Sequence, residues 1–189
     1  ATFDDGNYAS AFRALLKEID YEHWKHRQGQ IRDGKLMGLG LGVFIESSAA
    51  GPPETAGIKV TQDGSIELCT GASSVGQGLE TGMAQICAEI IEINIENISV
   101  SHGSTTLLES GGGTFHSRCT VMAGNAVKKV SESLIKKALE LAALRWNVSI
   151  HELCYKAGSV IREDGERLTL KELAVFASTR DRDGSFSAH

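Results

Sequence analysis

Proline is almost absent from this chain, with two residues in 189 against 21 glycines. Aromatic residues are sparse at 6%, and cysteine is limited to Cys69, Cys87, Cys119 and Cys154, far apart and without a Cys-x-x-Cys pair. That spacing suits neither a zinc site, nor a redox motif, nor a secreted disulfide framework, so reduced cysteines are expected. His23 and His26 lie three apart but lack a third ligand of the right type, and no metal site is expected in the chain. No apolar run approaches the roughly 18 residues that a membrane span requires. Nor is there an excess of positive charge. The net charge is -5, with acids and bases interspersed, which argues against a nucleic-acid partner or an anionic membrane surface. The opening residues Ala1-Thr2-Phe3-Asp4-Asp5 show no basic or apolar targeting segment, and the expectation is a cytoplasmic protein.

What remains is an ordinary globular composition, 41% hydrophobic and 23% charged, in a length that fits one domain or a domain with a small appendage. Tyr8, Phe12, Leu15, Leu16 and Ile19 follow helical spacing. Asp20 is placed to cap a second short helix running to about residue 31. Residues 36–47 are apolar and dotted with glycine, and read as a buried strand whose Gly38, Gly40 and Gly42 let a neighbour pack closely. A hairpin follows: Ile58 and Val60 alternate with polar residues, Asp63-Gly64 turns, and Ile66 and Leu68 alternate on return. A helix is predicted from about residue 79 to 91 and a strand at 98–101. The longest helix is predicted from about 117 to 146, with Val127, Val130, Leu134, Ala138 and Leu141 on one stripe. Beyond residue 150 two weak strands precede Thr169-Leu170-Lys171-Glu172, a capping box opening a last helix. The class is α+β, a mixed or antiparallel sheet packed with long helices.

Three glycine-rich segments are candidates for chemistry. Gly38-Leu39-Gly40-Leu41-Gly42 lacks the third glycine and helix start of a dinucleotide fingerprint, and Val43 follows instead. Gly76-Gln77-Gly78 lies between strand and helix, where backbone amides can hold an acceptor-rich ligand and Gln77 can donate and accept at once. On spacing alone, an ordinary strand–helix turn is the simpler reading. Gly111-Gly112-Gly113-Thr114-Phe115-His116-Ser117-Arg118-Cys119-Thr120 again leads into a helix, with hydroxyls and an Arg fork suited to an anion. Ser117 as a hydrolytic nucleophile is disfavoured, because adjacent His116 does not face it on a helix start and no paired acid is evident.

Taken in order, the hairpin, Thr70-Gly71, Val75-Gly76-Gln77-Gly78, the strand, Gly111 to Arg118 and Gly124-Asn125-Ala126-Val127 resemble the molybdopterin-binding region of the xanthine dehydrogenase / aldehyde oxidase family. Ile19-Asp20-Tyr21 and Phe44-Ile45-Glu46 match the way that region opens, and the resemblance covers about residues 8–145. It implies a partial molybdopterin-binding-type α+β domain over residues 1–150 and a small appendage over 151–189 that continues the same domain. It also implies a molybdenum–pterin cofactor, with Val75, Gly76, Gln77, Thr114, Ser117, Arg118 and Cys119 against it. Phe115 and His116 would face the substrate, and His116 is bulkier and more basic than the small residue typical of that position. The family's general-base glutamate lies outside this chain, so no catalytic residue is expected within it.

The implied activity is oxidation of aldehydes or N-heteroaromatics with water-derived oxygen. Implied partners are the remaining molybdenum-subunit domains, iron–sulfur and FAD-bearing flavin modules and a small-molecule substrate. The chain stops at Ser185-Phe186-Ser187-Ala188-His189, as a piece of a larger oxidoreductase would, and alone it is expected to be inactive. A non-catalytic scaffold that keeps the fold without cofactor is the alternative. Glycine content further suggests that residues 107–113 and 75–78 are the most mobile parts of the isolated core.

Overall fold

In the computed structural model, which describes residues 5–46, 48, 49, 51–180 and 186–189, the chain divides into two units, Ala1–Ile45 and Glu46–His189. In the first, helix α1 spans Tyr8–Glu18, and the Asn7 side chain accepts from the backbone N–H of Ser10 at its start. Helix α2 follows at Tyr21–Arg27. Asp20 does not cap it as the sequence suggests: it takes a left-handed conformation (φ 49°) and makes no side-chain capping bond, whereas a capping carboxylate needs extended backbone. The helix also ends earlier, because strands β1 (Ile31–Arg32) and β2 (Lys35–Leu36) form a small hairpin. Its turn residues Asp33 and Gly34 both have positive φ, the geometry that tight hairpins need.

The apolar run over residues 36–47 is not a buried strand. Beyond β2 its described residues are irregular, and Val43 and Phe44 are 74% and 82% exposed. Nothing lies within 4 Å of where a Cβ on Gly38, Gly40 or Gly42 would stand. Apolar content signals burial, but a strand also needs a partner, and among the described residues no strand pairs with the run beyond Met37. Ser47 lies outside the described residues.

The second unit is built on the expected hairpin. Strands β3 (Ala56–Val60) and β4 (Ile66–Thr70) pair antiparallel, with Ile58 opposite Leu68. Helix α3 (Leu79–Ile91) crosses over to strand β5 (Ile98–His102), which pairs parallel with β4. A five-residue π-helical turn, Cys119–Ala123, leads into the long helix α4 (Gly124–Trp146). Val127, Val130, Leu134, Ala138 and Ala142 form the buried stripe of α4. They cover one face of the sheet together with Met83, Cys87 and Ile91 of α3. Each large apolar side chain buried there stabilises the fold by about 1.5–3 kcal/mol.

The C-terminal residues contribute to the same core. Strands β6 (Leu153–Lys156), β7 (Ser159–Arg162) and β8 (Arg167–Thr169) form an antiparallel sheet. Helix α5 (Leu170–Ser178) opens with the expected reciprocal bonds between Thr169 and Glu172. The closing residues are strand β9 (Phe186–Ala188), which pairs antiparallel with β3 and completes the sheet order β5-β4-β3-β9. Phe186 is wholly buried. The class is α+β, and among the described residues no helix is long and apolar enough to cross a membrane.

Candidate functional site

Two loops emerge at the same end of the sheet: one joins β4 to α3, the other joins β5 to the π-turn. In the first, Gly76 and Gly78 have φ of 93° and 75°, a region that side chains with a Cβ enter only at a cost. Gln77 folds back over its own loop. Its Oε1 accepts from the backbone N–H of Val75 at 2.7 Å, and its Nε2 donates to the Ser73 carbonyl at 3.4 Å.

The second loop reaches the first through Thr114. Its hydroxyl donates to the Ser73 carbonyl and accepts from the Ser73 N–H at 3.1 Å. The Cys119 thiol donates to the same hydroxyl at 3.2 Å, and Gln77 Nε2 lies 3.7 Å from the Cys119 sulfur. Backbones also meet directly: a Cβ on Gly111 would lie 2.7 Å from Gly71 Cα, too close for any side chain. The sequence-predicted residues Val75, Gly76, Gln77, Thr114 and Cys119 are thus brought to one place. Val75 (73% exposed) and Phe115 (45%) stand on its open side.

Ser117 is exposed, and it and His116 have successive positive φ values of 48° and 49°. This conformation costs roughly 1–3 kcal/mol per residue and excludes Ser117 from the helix expected to open there; helical backbone starts at Cys119, in the π-turn that leads into α4. His116 Nδ1 is 3.1 Å from Glu46 Oε1, and its carbonyl accepts from the Ala49 N–H at 2.9 Å.

Arg118 is placed differently from its neighbours. Its guanidinium is wholly buried and pairs with Glu54 at 3.2 Å, the two side chains being 0% and 1% exposed. Its Nη2 donates to the Pro52 carbonyl at 2.6 Å, and the Phe115 ring stacks on it with the centroid 5.1 Å away. The anion that its fork suggested is therefore a carboxylate of this chain. Glu54 also accepts from the Gly112 N–H through both oxygens, at 3.0 and 3.1 Å. Thr55 Oγ1 donates to the Ser110 carbonyl. The sequence suggests a loop with few anchors, whereas its 110–112 end is tied by Glu54 and Thr55.

Glu54 escapes sequence reasoning, because an acid 64 positions from its arginine leaves no periodic signal. Glu80 and His102 escape it too. Glu80, in the first turn of α3, accepts from Ser74 Oγ at 3.3 Å and bonds His102 Nε2 at 2.8 Å. Its carboxyl is held below the ordinary range by its own backbone N–H, then by His102. Among the described residues no group of three or more His, Cys, Asp or Glu could hold a metal ion. The loop pair presents neutral donors and acceptors: amides, hydroxyls, carbonyls and one thiol.

Residues 14–189 match the molybdopterin cofactor-binding domain family, so the match reaches well past residue 145. The chain is 35% identical over 187 residues to the gamma subunit of the 6-hydroxypseudooxynicotine dehydrogenase complex of Paenarthrobacter nicotinovorans, covering 96% of this chain and 24% of that protein. It is 30% identical over 189 residues to the carbon monoxide dehydrogenase large chain of Hydrogenophaga pseudoflava, covering 91% and 24%. Among solved structures it superposes on Cu,Mo-CO dehydrogenase with a TM-score of 0.67 at 28% identity, covering 98% of this chain and 26% of that one. Quinoline 2-oxidoreductase from Pseudomonas putida 86 gives a TM-score of 0.63 at 23% identity, covering 100% and 26%, a likeness of fold. The chain spans about a quarter of the length of the curated relatives it matches.

Proposed function

The chain belongs to the molybdopterin cofactor-binding domain family, and from that premise we propose that its two loops form one wall of the molybdenum–pterin site of a molybdenum hydroxylase. The observation that carries this reading is the hydrogen-bonded meeting of Gln77, Ser73, Thr114 and Cys119, drawn from loops about 40 residues apart. A pterin edge alternates donors and acceptors, and this cluster does the same. The residues fit the group: nothing lies within 4 Å of a Cβ placed on Gly76, Gly78 or Gly113, so the backbone there borders open space. When bound, the cofactor supplies two-electron oxidation of a C–H bond with oxygen from water, which no side chain of this chain can do.

The chain's residues bind and orient. Val75, Gly76 and Gln77 offer backbone and side-chain amides from one side, and Thr114, Ser117 and Cys119 offer hydroxyls and a thiol from the other. Gln77 is satisfied within its own loop in the free chain, so it exchanges those bonds for bonds to the ligand at little cost in unpaired groups. Phe115 and His116 border the substrate side, where the imidazole beside Glu46 makes the rim more polar than a small residue would. The general base comes from another part of the enzyme.

The whole enzyme oxidises aldehydes or N-heteroaromatic substrates. Names of relatives such as nicotine 6-hydroxylase favour the latter class. Electrons leave through iron–sulfur and flavin modules on other domains or subunits. The test compares the 189-residue chain with the protein carrying its remaining domains, both made in a host that synthesises the cofactor. Stoichiometric molybdenum and pterin in the longer protein, and none in the chain alone, are expected. A longer protein that folds without either would establish the scaffold reading instead.

A further inference from the structure

We infer that Glu54 is a positioning residue of this site, acting through Arg118 and the Gly112 amide to set the distance between the two cofactor loops. The inference rests on the cofactor reading above.

Glu54 stands just before β3, outside both loops, and its carboxylate holds the second loop where that loop passes Gly71 of the first. Both of its oxygens accept from Gly112 N–H, and one also accepts from Arg118 Nη2. The glycines around the pair are explained by it. A Cβ on Gly112 would lie 2.5 Å from Arg118 Cζ, and one on Gly51 would lie 2.5 Å from Arg118 Nη1. A Cβ on Gly71 would strike Glu54 Oε1 and lie 2.6 Å from Gly111 Cα. Three backbone segments, at Gly51, Gly71 and Gly111–Gly112, therefore close on one ion pair, with no room for side chains between them.

A buried ion pair is a poor device for stability, since an apolar pair of similar volume often serves as well or better. What the charges add is fixed geometry: a carboxylate with several donors has one good position. Here that position determines where Gly112 sits, and Gly112 is two residues from Thr114, the hydroxyl that joins the loops. Arg118 immediately precedes Cys119, so anchoring its guanidinium also fixes the start of the π-turn. Neither charge faces the open side of the loops, so the pair acts on a ligand through the backbone it holds.

Two variants test this, Glu54→Gln and the double variant Glu54→Gln with Arg118→Met, which removes both charges and leaves no uncompensated cation. In the 189-residue chain, amide exchange of Gly111, Gly112 and Thr114 is compared with that of the α4 core around Leu134. Exchange in the loop should rise about 100-fold in both variants, as expected for losing a charge-assisted bond, with the double variant leaving the α4 amides unchanged. In the protein carrying its remaining domains, molybdenum and pterin content should fall about tenfold or more, as when a supporting residue behind a ligand is removed.

Wild-type loop exchange in the folded double variant would overturn the inference. So would faster loop exchange with full cofactor content. A wild-type protein that takes up no molybdenum would overturn the cofactor reading and this inference with it, an outcome seen before any variant is made.

Discussion

Gly111→Ala isolates the backbone contact on which the loop pair depends. No positive φ is required at this position, so the substitution carries no conformational penalty of its own. The cost is steric. The new Cβ would stand 2.7 Å from Gly71 Cα, about 1 Å inside an ordinary contact of roughly 3.5–4.0 Å. Its neighbour is backbone, which cannot swing aside as a side chain can, so one loop must move. Overpacking of this kind costs about 1–3 kcal/mol, and for a chain of this size that lowers the melting temperature by roughly 3–10 °C.

Two control substitutions separate the causes. Gly38→Ala, with open space and no positive φ, should be silent or slightly stabilising. Gly76→Ala, with φ 93° and nothing nearby, should show only the backbone strain of about 1 kcal/mol. Calorimetry of the three variants, with alkylation of Cys119 as a local reporter, gives the comparison. Gly111→Ala should speed labelling of Cys119, whose thiol bonds Thr114 across the junction, and Gly38→Ala should not. If Gly111→Ala melts and labels like Gly38→Ala, the two loops do not touch as described and the reasoning fails.

Phe186→Ala should destabilise the chain by about 3–5 kcal/mol, since β9 closes the main sheet and this ring is wholly buried; a urea midpoint close to wild type would show that the C-terminal strand is dispensable. Glu80 is held below the ordinary carboxylate range in the folded chain, so its stabilisation is present above that range and is lost as pH falls through the lowered value. Glu80→Gln should therefore flatten the acid limb of the stability–pH curve, and an acid limb identical to wild type would count against the Ser74–Glu80–His102 contacts. Thr114→Val should leave Ser73 N–H without its acceptor and weaken folding by about 1–3 kcal/mol, measured by denaturant titration, with no loss if the hydroxyl is merely solvated.

Local features of the fold are legible in the sequence. Asp63-Gly64 between alternating Ile58, Val60, Ile66 and Leu68 specifies the β3–β4 hairpin, and the stripe from Val127 to Ala138 specifies α4. Thr169 and Glu172 specify the start of α5. Each signal lies within one turn or one stretch of chain. Strand β9 is three residues long and pairs with β3 from the far end of the chain, so neither length nor periodicity reveals it. The run through Val43 and Phe44 is apolar enough to be taken for a core strand, but sequence does not say what would pair with it.

The site divides in the same way. Gln77 and Thr114 sit in glycine-rich loops before helices, a pattern visible in the residues. Glu54 is tied to Arg118 and Gly112 only by the fold, and Arg118 reads as a fork for an anion until its partner is found. The left-handed backbone at His116 and Ser117 has no compositional signature, since both are ordinary side chains in a glycine-flanked segment.

The central claim is that the joined loops hold a molybdenum–pterin cofactor. It is tested most directly by the molybdenum and pterin content per chain of the protein carrying its remaining domains, wild type against Gln77→Ala, with unfolding midpoints measured on the two cofactor-free 189-residue chains. Loss of an amide that pairs with a buried ligand costs about 1–3 kcal/mol in binding, while removal of this exposed side chain should leave the midpoint unchanged. The account predicts a near-stoichiometric wild type and a variant depleted of both metal and pterin, with equal midpoints for the two 189-residue chains. Equal content in the two proteins would contradict it.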